Sequence, residues 1–415
     1  MAGPSTYFDP RTVGDLPPAI GDLVERRARA LGSAYRLFYQ DPVQLVRGEG
    51  TKVYDVNGVE YLDAYNNVPS VGHSHPRVVA AMTKQAAKLN THTRYLSEPI
   101  VAYAEDLLST LPTHLANIMF TCTGSEANDL ALKVAKLATG GTGVIVSRNA
   151  YHGVTTEVAA ISPSLGGAES LPPWARVVDA PGTEADFALA VEGALAEMAA
   201  RGIRPAALIV DTIFASDGVF PDVAGLLRAA DLVHAAGGLL IADEVQPGFG
   251  RLGTGMWGFA RYGLEPDIVT IGKPMGNGQP IAAMIARREL VDEFNRHSRY
   301  FNTFGGSSVS IAAAQATLDV LRDEGLMENA RVVGSYLLDG LASLPFVSVR
   351  GVGLFIGAQL PSEASALAAV NAMRERRVLL AASGIANDTL KIRPPLPFSL
   401  ADADRLLAEL DAALR

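Results

Sequence analysis

Two residues able to do covalent or acid–base chemistry end apolar runs of the chain. Asp243 follows Gly-Gly-Leu-Leu-Ile-Ala, and Lys273 follows Asp-Ile-Val-Thr-Ile-Gly. Short apolar runs of this kind are typical of buried strands in a parallel sheet, and ligands bind at the carboxyl edge of such a sheet. We therefore expect a carboxylate and an amine to meet at one edge, where they can act on a small molecule.

A third stretch has the features of an anion-binding helix start. Residues 123–128, Thr-Gly-Ser-Glu-Ala-Asn, follow an apolar run and open a segment of helical periodicity. The first N–H groups of a helix have no intrahelical partner, and the helix dipole favours negative charge there, so a phosphate can bind. Taken by itself, the stretch is equally compatible with an ordinary serine N-cap.

Together these three features match the three functional groups by which a protein can bind pyridoxal phosphate. The phosphate requires an anion-binding site, the pyridine nitrogen a carboxylate, and the aldehyde a primary amine. The carboxylate keeps the ring nitrogen protonated, so that the ring can withdraw electrons. We predict that Lys273 is removed from water, because a free lysine side chain is charged at neutral pH.

The elements that must position these groups alternate between strands and helices. Apolar runs at 117–121, 143–147, 206–211, 238–243, 267–271 and 281–286 predict a mostly parallel sheet with helices on both faces. Around Asn57-Gly58, residues 52–63 predict a β-hairpin. The fold class is therefore α/β. We expect an N-terminal arm and part of a small domain in 1–70, a large domain in 71–306, and a C-terminal α+β small domain in 307–415.

Composition narrows the class of protein. The 415 residues contain 35 Lys and Arg against 44 Asp and Glu, a formal net charge of −9, which argues against nucleic acid or an anionic membrane as partner. The single cysteine, Cys122, excludes an intrachain disulfide and a multi-cysteine metal site, and we expect no metal. With no secretion signal and no membrane-length apolar run, a cytoplasmic protein with small-molecule substrates is expected.

Residues 248–253 fit the pattern G-x-G-x-x-G of dinucleotide sites. We reject this interpretation because that pattern opens a helix, whereas the residues that follow here are too rich in glycine. A nicotinamide oxidoreductase and a non-catalytic protein that retains the cofactor remain alternatives to an enzyme of pyridoxal phosphate.

Seven motifs make the chain resemble the class III, fold-type I pyridoxal-phosphate aminotransferases over about residues 40–415. They lie, in the family's order, at 72–76, 123–128, 151–153, 242–253, 271–280, 302–306 and 390–398. The resemblance implies a large domain with a mostly parallel seven-stranded sheet flanked by helices. It also implies a homodimer with shared active sites, with pairing of dimers into tetramers left open.

The resemblance further implies roles for single residues. Lys273 would bind the cofactor aldehyde and Asp243 the pyridine nitrogen, as the two catalytic residues. The other cofactor-binding residues would be Gly124 and Ser125 for the phosphate, Tyr151 and Val245 for the two ring faces, Gln246 for the ring oxygen, His152, Asp211, and Thr303 toward the neighbouring subunit's cofactor.

Departures from the family pattern concern the substrate. Asp211 stands where most members have glutamate, and Lys391 stands where many have the arginine that clamps a carboxylate by a two-point fork. Residues 391 and 393 share a face of an extended segment, so they form a joint anion site or Arg393 is a solvated charge. Arg94 is a further candidate anion binder, with a surface helix cap as the alternative.

The Lys-Ile-Arg-Pro-Pro of 391–395, with 91–96 and 274–278, is more similar to the branch that contains ethanolamine-phosphate phospho-lyase. Our leading prediction is an aminotransferase that moves an amino group from an amine or ω-amino acid to pyruvate or 2-oxoglutarate. The alternative is a phospho-lyase that eliminates phosphate from a phosphorylated amino alcohol. Both share one scaffold, so the fold does not choose between them.

Overall fold

The structure, a computed structural model, describes residues 7–166, 171–179 and 186–415. The strands are β1 (Leu45–Glu49), β2 (Lys52–Asp55), β3 (Glu60–Asp63), β4 (Leu115–Thr121), β5 (Gly143–Ser147), β6 (Ala175–Val178), β7 (Pro205–Val210), β8 (Leu239–Asp243), β9 (Ile268–Ile271), β10 (Ala282–Arg287), β11 (Ser348–Val352), β12 (Phe355–Gln359), β13 (Val378–Leu379), β14 (Ala381–Ser383) and β15 (Thr389–Ile392).

The helices are α1 (Pro18–Leu31), α2 (Pro76–Ala86), α3 (Glu98–Leu108), α4 (Gly124–Thr139), α5 (Thr156–Ala159), α6 (Phe187–Ala200), α7 (Leu226–Ala235), α8 (Arg288–His297), α9 (Ser308–Asp323), α10 (Leu326–Ala342), α11 (Glu363–Glu375) and α12 (Leu400–Leu414). No helix in the described ranges combines the length and apolar character needed to cross a membrane.

The central sheet has seven strands in the order β4-β10-β9-β8-β7-β5-β6. The strands from β6 to β9 pair in parallel, and β10 runs antiparallel to both of its neighbours. The α/β fold with a mostly parallel seven-stranded sheet, expected from the sequence, is confirmed. Because these strands are parallel, the segments that follow β5, β7, β8 and β9 all leave the sheet at one edge.

The central strands are buried on both faces. Leu208 and Leu240 pack into one apolar cluster, whereas their neighbours Ile209 and Ile241 pack into a second cluster on the other face. This alternation follows from the two-residue repeat of a strand. Helices on both sides therefore fix the sheet rigidly, which is what positions the loops at its carboxyl edge.

Two four-stranded sheets flank this unit, in the orders β1-β2-β3-β13 and β11-β12-β15-β14. The hairpin predicted at 52–63 is confirmed as the β2–β3 antiparallel pair. Strand β13 pairs with β3, so early and late parts of the chain share one sheet. The domain boundaries drawn from the sequence stay a prediction.

Sequence reasoning missed β6 and the helix α6 that follows it. The strand has only four residues and contains Arg176, so it lacks the apolar run that marks the central strands. Residues 248–253, by contrast, form turns and open no helix, in agreement with our rejection of a dinucleotide site.

Candidate active site

A cavity of about 240 Å³ lies at the carboxyl edge of the central sheet. Loops after β4, β5, β7, β8 and β9 form most of its wall. The predicted cofactor-binding residues that line it are Gly124, Ser125, Tyr151, His152, Asp211, Asp243, Val245, Gln246 and Lys273. Residues from distant parts of the chain thus meet at one edge of the sheet, as we predicted from their positions after parallel strands.

The Asp243 carboxylate is held by three donors. Its Oδ2 accepts from Nδ2 of Asn128 at 2.9 Å and from Nδ1 of His152 at 2.7 Å, and its Oδ1 accepts from the Val245 N–H at 3.1 Å. Asn128 is itself fixed, because its Oδ1 accepts from Oγ1 of Thr270 at 2.5 Å. Both bonding positions of Oδ2 are filled, and Oδ1 keeps a lone pair for a group in the cavity.

His152 is almost completely buried behind this carboxylate. Since a carboxylate only accepts, Nδ1 of His152 carries the proton in this pair. Its Nε2 is buried and has no hydrogen-bond partner in the described part of the chain. His152 was predicted to lie at the cofactor, but its contact with Asp243 was not.

Sequence reasoning also missed Asn128 and Thr270. Asn128 belongs to the 123–128 motif and lies one helical turn after Gly124, on the same face of α4, which was the available signal. Thr270 lies inside β9, three residues before Lys273, and carried no signal. Asn128 lines the cavity and donates to Asp243 directly, whereas Thr270 acts on Asp243 only through its bond to Asn128.

Lys273 follows β9 and lines the cavity. Desolvation lowers the pKa of Lys273, and the nearby charge of Arg393 acts in the same direction. The carboxylates of Asp243 and Asp211 oppose this shift. A lowered pKa increases the neutral fraction of the amine, which is the form that reacts with a carbonyl carbon.

The start of α4 forms a cradle for an anion. Thr123 and Glu126 make a capping box, in which Thr123 Oγ1 accepts from the Glu126 N–H at 3.1 Å and Glu126 Oε2 accepts from the Thr123 N–H at 3.0 Å. The N–H groups of Gly124 and Ser125 have no acceptor among the residues described. Both residues line the cavity at the positive end of the helix.

The 151–154 loop supports this cradle. The Ser125 hydroxyl oxygen accepts from the Val154 N–H at 3.1 Å, so its proton remains free to donate to an anion. A Cβ at position 153 would lie 2.4 Å from that oxygen, and Gly153 has φ +141°. Glycine is therefore needed at 153 for the close approach of the loop to α4.

Two cations lie buried next to this site. Arg393 is 7% exposed, and its Nη1 donates to Oε1 of Gln246 while its guanidinium lies 4.5 Å from the ring centroid of Tyr65. Lys391 is also 7% exposed, and desolvation together with Arg393 lowers the pKa of its ammonium to about 7. The interpretation of Arg393 as a solvated charge is therefore wrong.

Asp211 follows β7 and turns into its own loop. Its Oδ1 accepts from the Ile213 N–H at 3.0 Å and its Oδ2 from the Ala215 N–H at 3.1 Å. Desolvation and the charge of Asp243 raise the pKa of Asp211 to about 6. The shorter aspartate thus remains in the cavity wall, where the family pattern has glutamate.

Four predicted residues do not line the cavity of this single chain: the buried Lys391 and Arg393, and the exposed Arg94 and Thr303. Arg94 is exposed, and its guanidinium lies 3.8 Å from the ring centroid of Phe301. Thr303 is exposed on the loop after α8. Neither side chain is among the residues that form the wall.

The amine, the carboxylate and the anion cradle thus surround one cavity, and residues 38–414 match the model of the family Aminotransferase class-III. The chain belongs to this family. Class-III aminotransferases are enzymes that use pyridoxal phosphate, so the family and cofactor predictions are confirmed. The donors left unpaired at Gly124 and Ser125 and the free lone pair of Asp243 fit the phosphate and the ring nitrogen of that cofactor.

Relatives within the class-III family carry two kinds of name. An alanine–glyoxylate aminotransferase 2-like protein of Drosophila melanogaster is 37% identical and covers 93% of this chain and 85% of its own. Ethanolamine-phosphate phospho-lyase homolog 1 of Caenorhabditis elegans is 35% identical and covers 95% and 93%. The solved structure of an Arthrobacter phospholyase in complex with phosphoethanolamine is 41% identical, covers 95% and 99%, and superposes with a TM-score of 0.92.

Proposed function

We propose that this class-III enzyme is a phospho-lyase that eliminates phosphate from a small phosphorylated amino alcohol. The observation that carries the proposal is the buried pair of cations, Lys391 and Arg393, beside Lys273. Similarity to the Arthrobacter phospholyase, at 41% identity and a TM-score of 0.92, supports it. This reverses the ranking drawn from the sequence, in which amino transfer came first.

The chemistry needs a cofactor held at three points. The N–H groups of Gly124 and Ser125 and the hydroxyl of Ser125 would bind its phosphate, Asp243 Oδ1 would bind its ring nitrogen, and Lys273 would bind its aldehyde carbon. When bound, pyridoxal phosphate would supply a ring that withdraws electrons from the substrate carbon bearing the amine. Tyr151 and Val245, which line the cavity, would pack against the ring.

Lys273 then serves as the base. Once the incoming substrate amine has displaced Lys273 from the aldehyde carbon, the freed Nζ would accept the proton of the carbon that bears this amine, and phosphate would leave from the neighbouring carbon with the electron pair of its C–O bond. The neutral form of Nζ that this requires is favoured by desolvation. Asn128 and His152 hold Asp243 in one orientation throughout, because both donate to its Oδ2. Gln246 has its Oε1 engaged by Arg393, so its amide nitrogen is the end that donates to the cofactor ring oxygen.

The substrate phosphate belongs at Lys391 and Arg393. A phosphate monoester carries nearly two negative charges at neutral pH, and two neighbouring cations compensate them. Lys391 at the position of the family's arginine does not supply a two-point fork for a carboxylate. Arg94, which is exposed and outside the wall of this chain's cavity, is a further anion binder in this proposal.

We include in the proposal a cytoplasmic homodimer, in which Thr303 contacts the cofactor phosphate of the partner subunit. The exposure of Thr303 outside the cavity of its own chain is compatible with this contact. Size-exclusion chromatography with light scattering tests the dimer. The loss of cofactor affinity in Thr303→Ala tests the shared site.

Amino transfer from an amine or ω-amino acid to pyruvate or 2-oxoglutarate is the second candidate. The 37% identity to the Drosophila alanine–glyoxylate aminotransferase 2-like protein favours it. The same cofactor and base serve both reactions, and a carboxylate also pairs with a guanidinium. The two candidates differ in what leaves the substrate.

The decisive experiment distinguishes phosphate elimination from amino transfer by measuring the product of each reaction. Holoenzyme is incubated with phosphoethanolamine alone, and inorganic phosphate is measured; in a second arm, amino donors and pyruvate are supplied, and alanine is measured. Phosphate release without a keto acid is expected. Alanine formation without phosphate release would overturn the phospho-lyase proposal in favour of amino transfer, and Lys273→Ala, the control, should show neither product.

A further inference from the structure

Three buried cations lie close together, with no carboxylate of the described residues in contact with them. Arg251, Lys391 and Arg393, here called the buried cation cluster, are 1%, 7% and 7% exposed. Arg251 Nη1 donates to the carbonyl of Pro394 at 2.7 Å, directly after Arg393 in the chain. The charge of Arg393 lowers the pKa of both other members, which places all three within electrostatic reach of one another.

None of the three forms an ion pair within 4.0 Å with a carboxylate among the residues the structure describes. The carboxylates that act on them from farther away are committed elsewhere. Asp63 accepts from His73 and two backbone N–H groups, Asp211 from two backbone N–H groups, and Asp217 from Ser147 and one backbone N–H group. The cluster therefore lacks a counterion in direct contact, although buried charges are stable only when compensated.

The cluster also retains unused donors. Nε of Arg393 and Nη2 of Arg251 are buried and have no hydrogen-bond partner within the described ranges. Arg393 donates from Nη1 to Gln246, a residue of the cavity wall, so its guanidinium lies one hydrogen bond behind that wall. An anion bound beside Gln246 would be near an arginine that has an unused donor and, among the described residues, no paired carboxylate.

We propose that the buried cation cluster selects a dianion over a monoanion, and that Arg251 is the positioning residue on which this selection depends. Coulomb stabilisation scales with the charge of the ligand, so three cations favour a doubly ionised phosphate over a carboxylate. Arg251 donates to the carbonyl of Pro394 and thereby positions the backbone next to Arg393. Its guanidinium also adds a positive charge to the buried cation cluster. The inference rests on the proposed function and narrows its substrate to a dianionic phosphate monoester.

The test measures binding to the holoenzyme, in which the cofactor fills the cradle at α4. Ethyl phosphate, which is mainly a dianion at pH 7, and propanoate, a monoanion, are titrated at that pH by calorimetry; neither has an amine, so neither reacts. The wild type should bind ethyl phosphate at least about tenfold more tightly than propanoate. Arg251→Met should reduce this ratio at least about fivefold, and Arg251→Lys, which keeps the charge, should retain more of it.

Arg176→Met is the matched control. Arg176 is 8% exposed and, like Arg251, donates through Nη1 to two backbone carbonyls, but it pairs with Glu197 outside the cluster. Its replacement should leave the ratio unchanged. Equal affinity of the wild type for the two probes, or an unchanged ratio in Arg251→Met, would overturn the inference.

If Arg251→Met does not fold, Lys391→Met and Arg393→Met are tested instead. A reduced affinity ratio of ethyl phosphate to propanoate in both variants supports the dianion site, and an unchanged ratio overturns it. The assay also separates this inference from the proposed function. If the protein prefers the dianion but releases no phosphate from phosphoethanolamine, the proposed phospho-lyase activity is contradicted and the role of the buried cation cluster stands. If it releases phosphate but shows no preference for the dianion, the role of the cluster is contradicted and the proposed activity stands.

Discussion

Arg393 donates a hydrogen bond from Nη1 to Oε1 of Gln246, although the two residues are 147 positions apart in the chain. Because a guanidinium has no acceptor, the bond determines which end of the amide faces it. The amide nitrogen of Gln246 is then the end left for the cavity. One side chain thus connects the proposed substrate-anion site with the cofactor site.

This contact leads to a prediction for Gln246→Glu. The new carboxylate would form an ion pair with Arg393 and compensate the guanidinium charge that we propose binds the substrate phosphate. KM for the anionic substrate should rise at least about tenfold, which corresponds to about 1.4 kcal/mol of binding free energy. Steady-state kinetics with phosphoethanolamine measure it, with kcat recorded separately from KM.

Gln279→Glu is the control for Gln246→Glu. Gln279 also lines the cavity, but its amide donates to Ser310 at 3.1 Å rather than meeting Arg393. The same added charge there should change KM less. An equal rise in both variants would mean that general repulsion, and not the pairing of Arg393, is responsible.

Lys273→Ala should abolish turnover while leaving the fold intact. Removal of a catalytic nucleophile lowers rates by several powers of ten, and we expect at least about a 10³-fold loss. Borohydride reduction followed by peptide mass mapping should place the cofactor on Lys273 in the wild type. The exposed Lys84→Ala variant is the control, and cofactor found on another lysine would contradict the assignment.

Gly153→Ala should weaken cofactor binding. The added Cβ would lie 2.4 Å from Ser125 Oγ, and φ at 153 is +141°. Displacement of Ser125 removes donors from the phosphate cradle, so the Kd for pyridoxal phosphate should rise at least about tenfold, by about 1.4 kcal/mol. Titration of the cofactor-free protein by fluorescence measures it.

Gly202→Ala controls for backbone strain in that experiment. Gly202 also has a positive φ, +67°, but nothing lies within 4 Å of the position a Cβ would take. This variant should lose stability without losing cofactor affinity. A similar loss of affinity in both variants would show that strain alone accounts for the result.

Glu244 should make stability depend on pH. Its carboxylate is fully buried and accepts from Thr212 Oγ1 and from the N–H groups of Gly258 and Phe259, yet desolvation raises its pKa from 4.5 to about 7. Between these pH values the folded protein keeps a proton that the unfolded chain has released. The free energy of unfolding therefore falls as pH rises from 4.5 to 7, by about 3 kcal/mol from this group.

Glu244→Gln isolates that contribution, because the amide does not titrate. Urea unfolding of the cofactor-free wild type and variant is compared at pH 4.5 and 7.5. The wild type should lose about 3 kcal/mol relative to the variant over this interval. A difference between the two proteins that does not change with pH would contradict the assigned pKa.

Much of the site was predictable because the chemistry follows strand ends. Asp243 and Lys273 each end a buried apolar run, so their meeting at one edge follows from parallel pairing. The cradle at Gly124 follows from a capping pattern after a strand. These features are local in sequence, and local patterns are what sequence reasoning detects well.

The contacts that sequence reasoning missed join distant segments through side chains. Thr270 to Asn128, Asn128 to Asp243 and Arg251 to Pro394 each cross between elements, and no spacing rule specifies them. Arg251 lies among the glycines of 248–253, which were considered and rejected as a dinucleotide site, and the arginine itself was assigned no role. Thr303 lies outside the cavity of one chain, so its predicted role needs a second copy.

The strand that carries Lys391 belongs to a different sheet from β8, which ends in Asp243, and β9, which precedes Lys273. The proposed substrate-anion site and the proposed reaction centre therefore rest largely on separate sheets. In that proposal, a substitution of Lys391 changes which substrate is accepted while Asp243 and Lys273 stay in place. With this arrangement, few substitutions are needed to change the substrate specificity of an enzyme during evolution. In protein engineering, the short β15 strand can be altered without redesigning the residues that bind the cofactor.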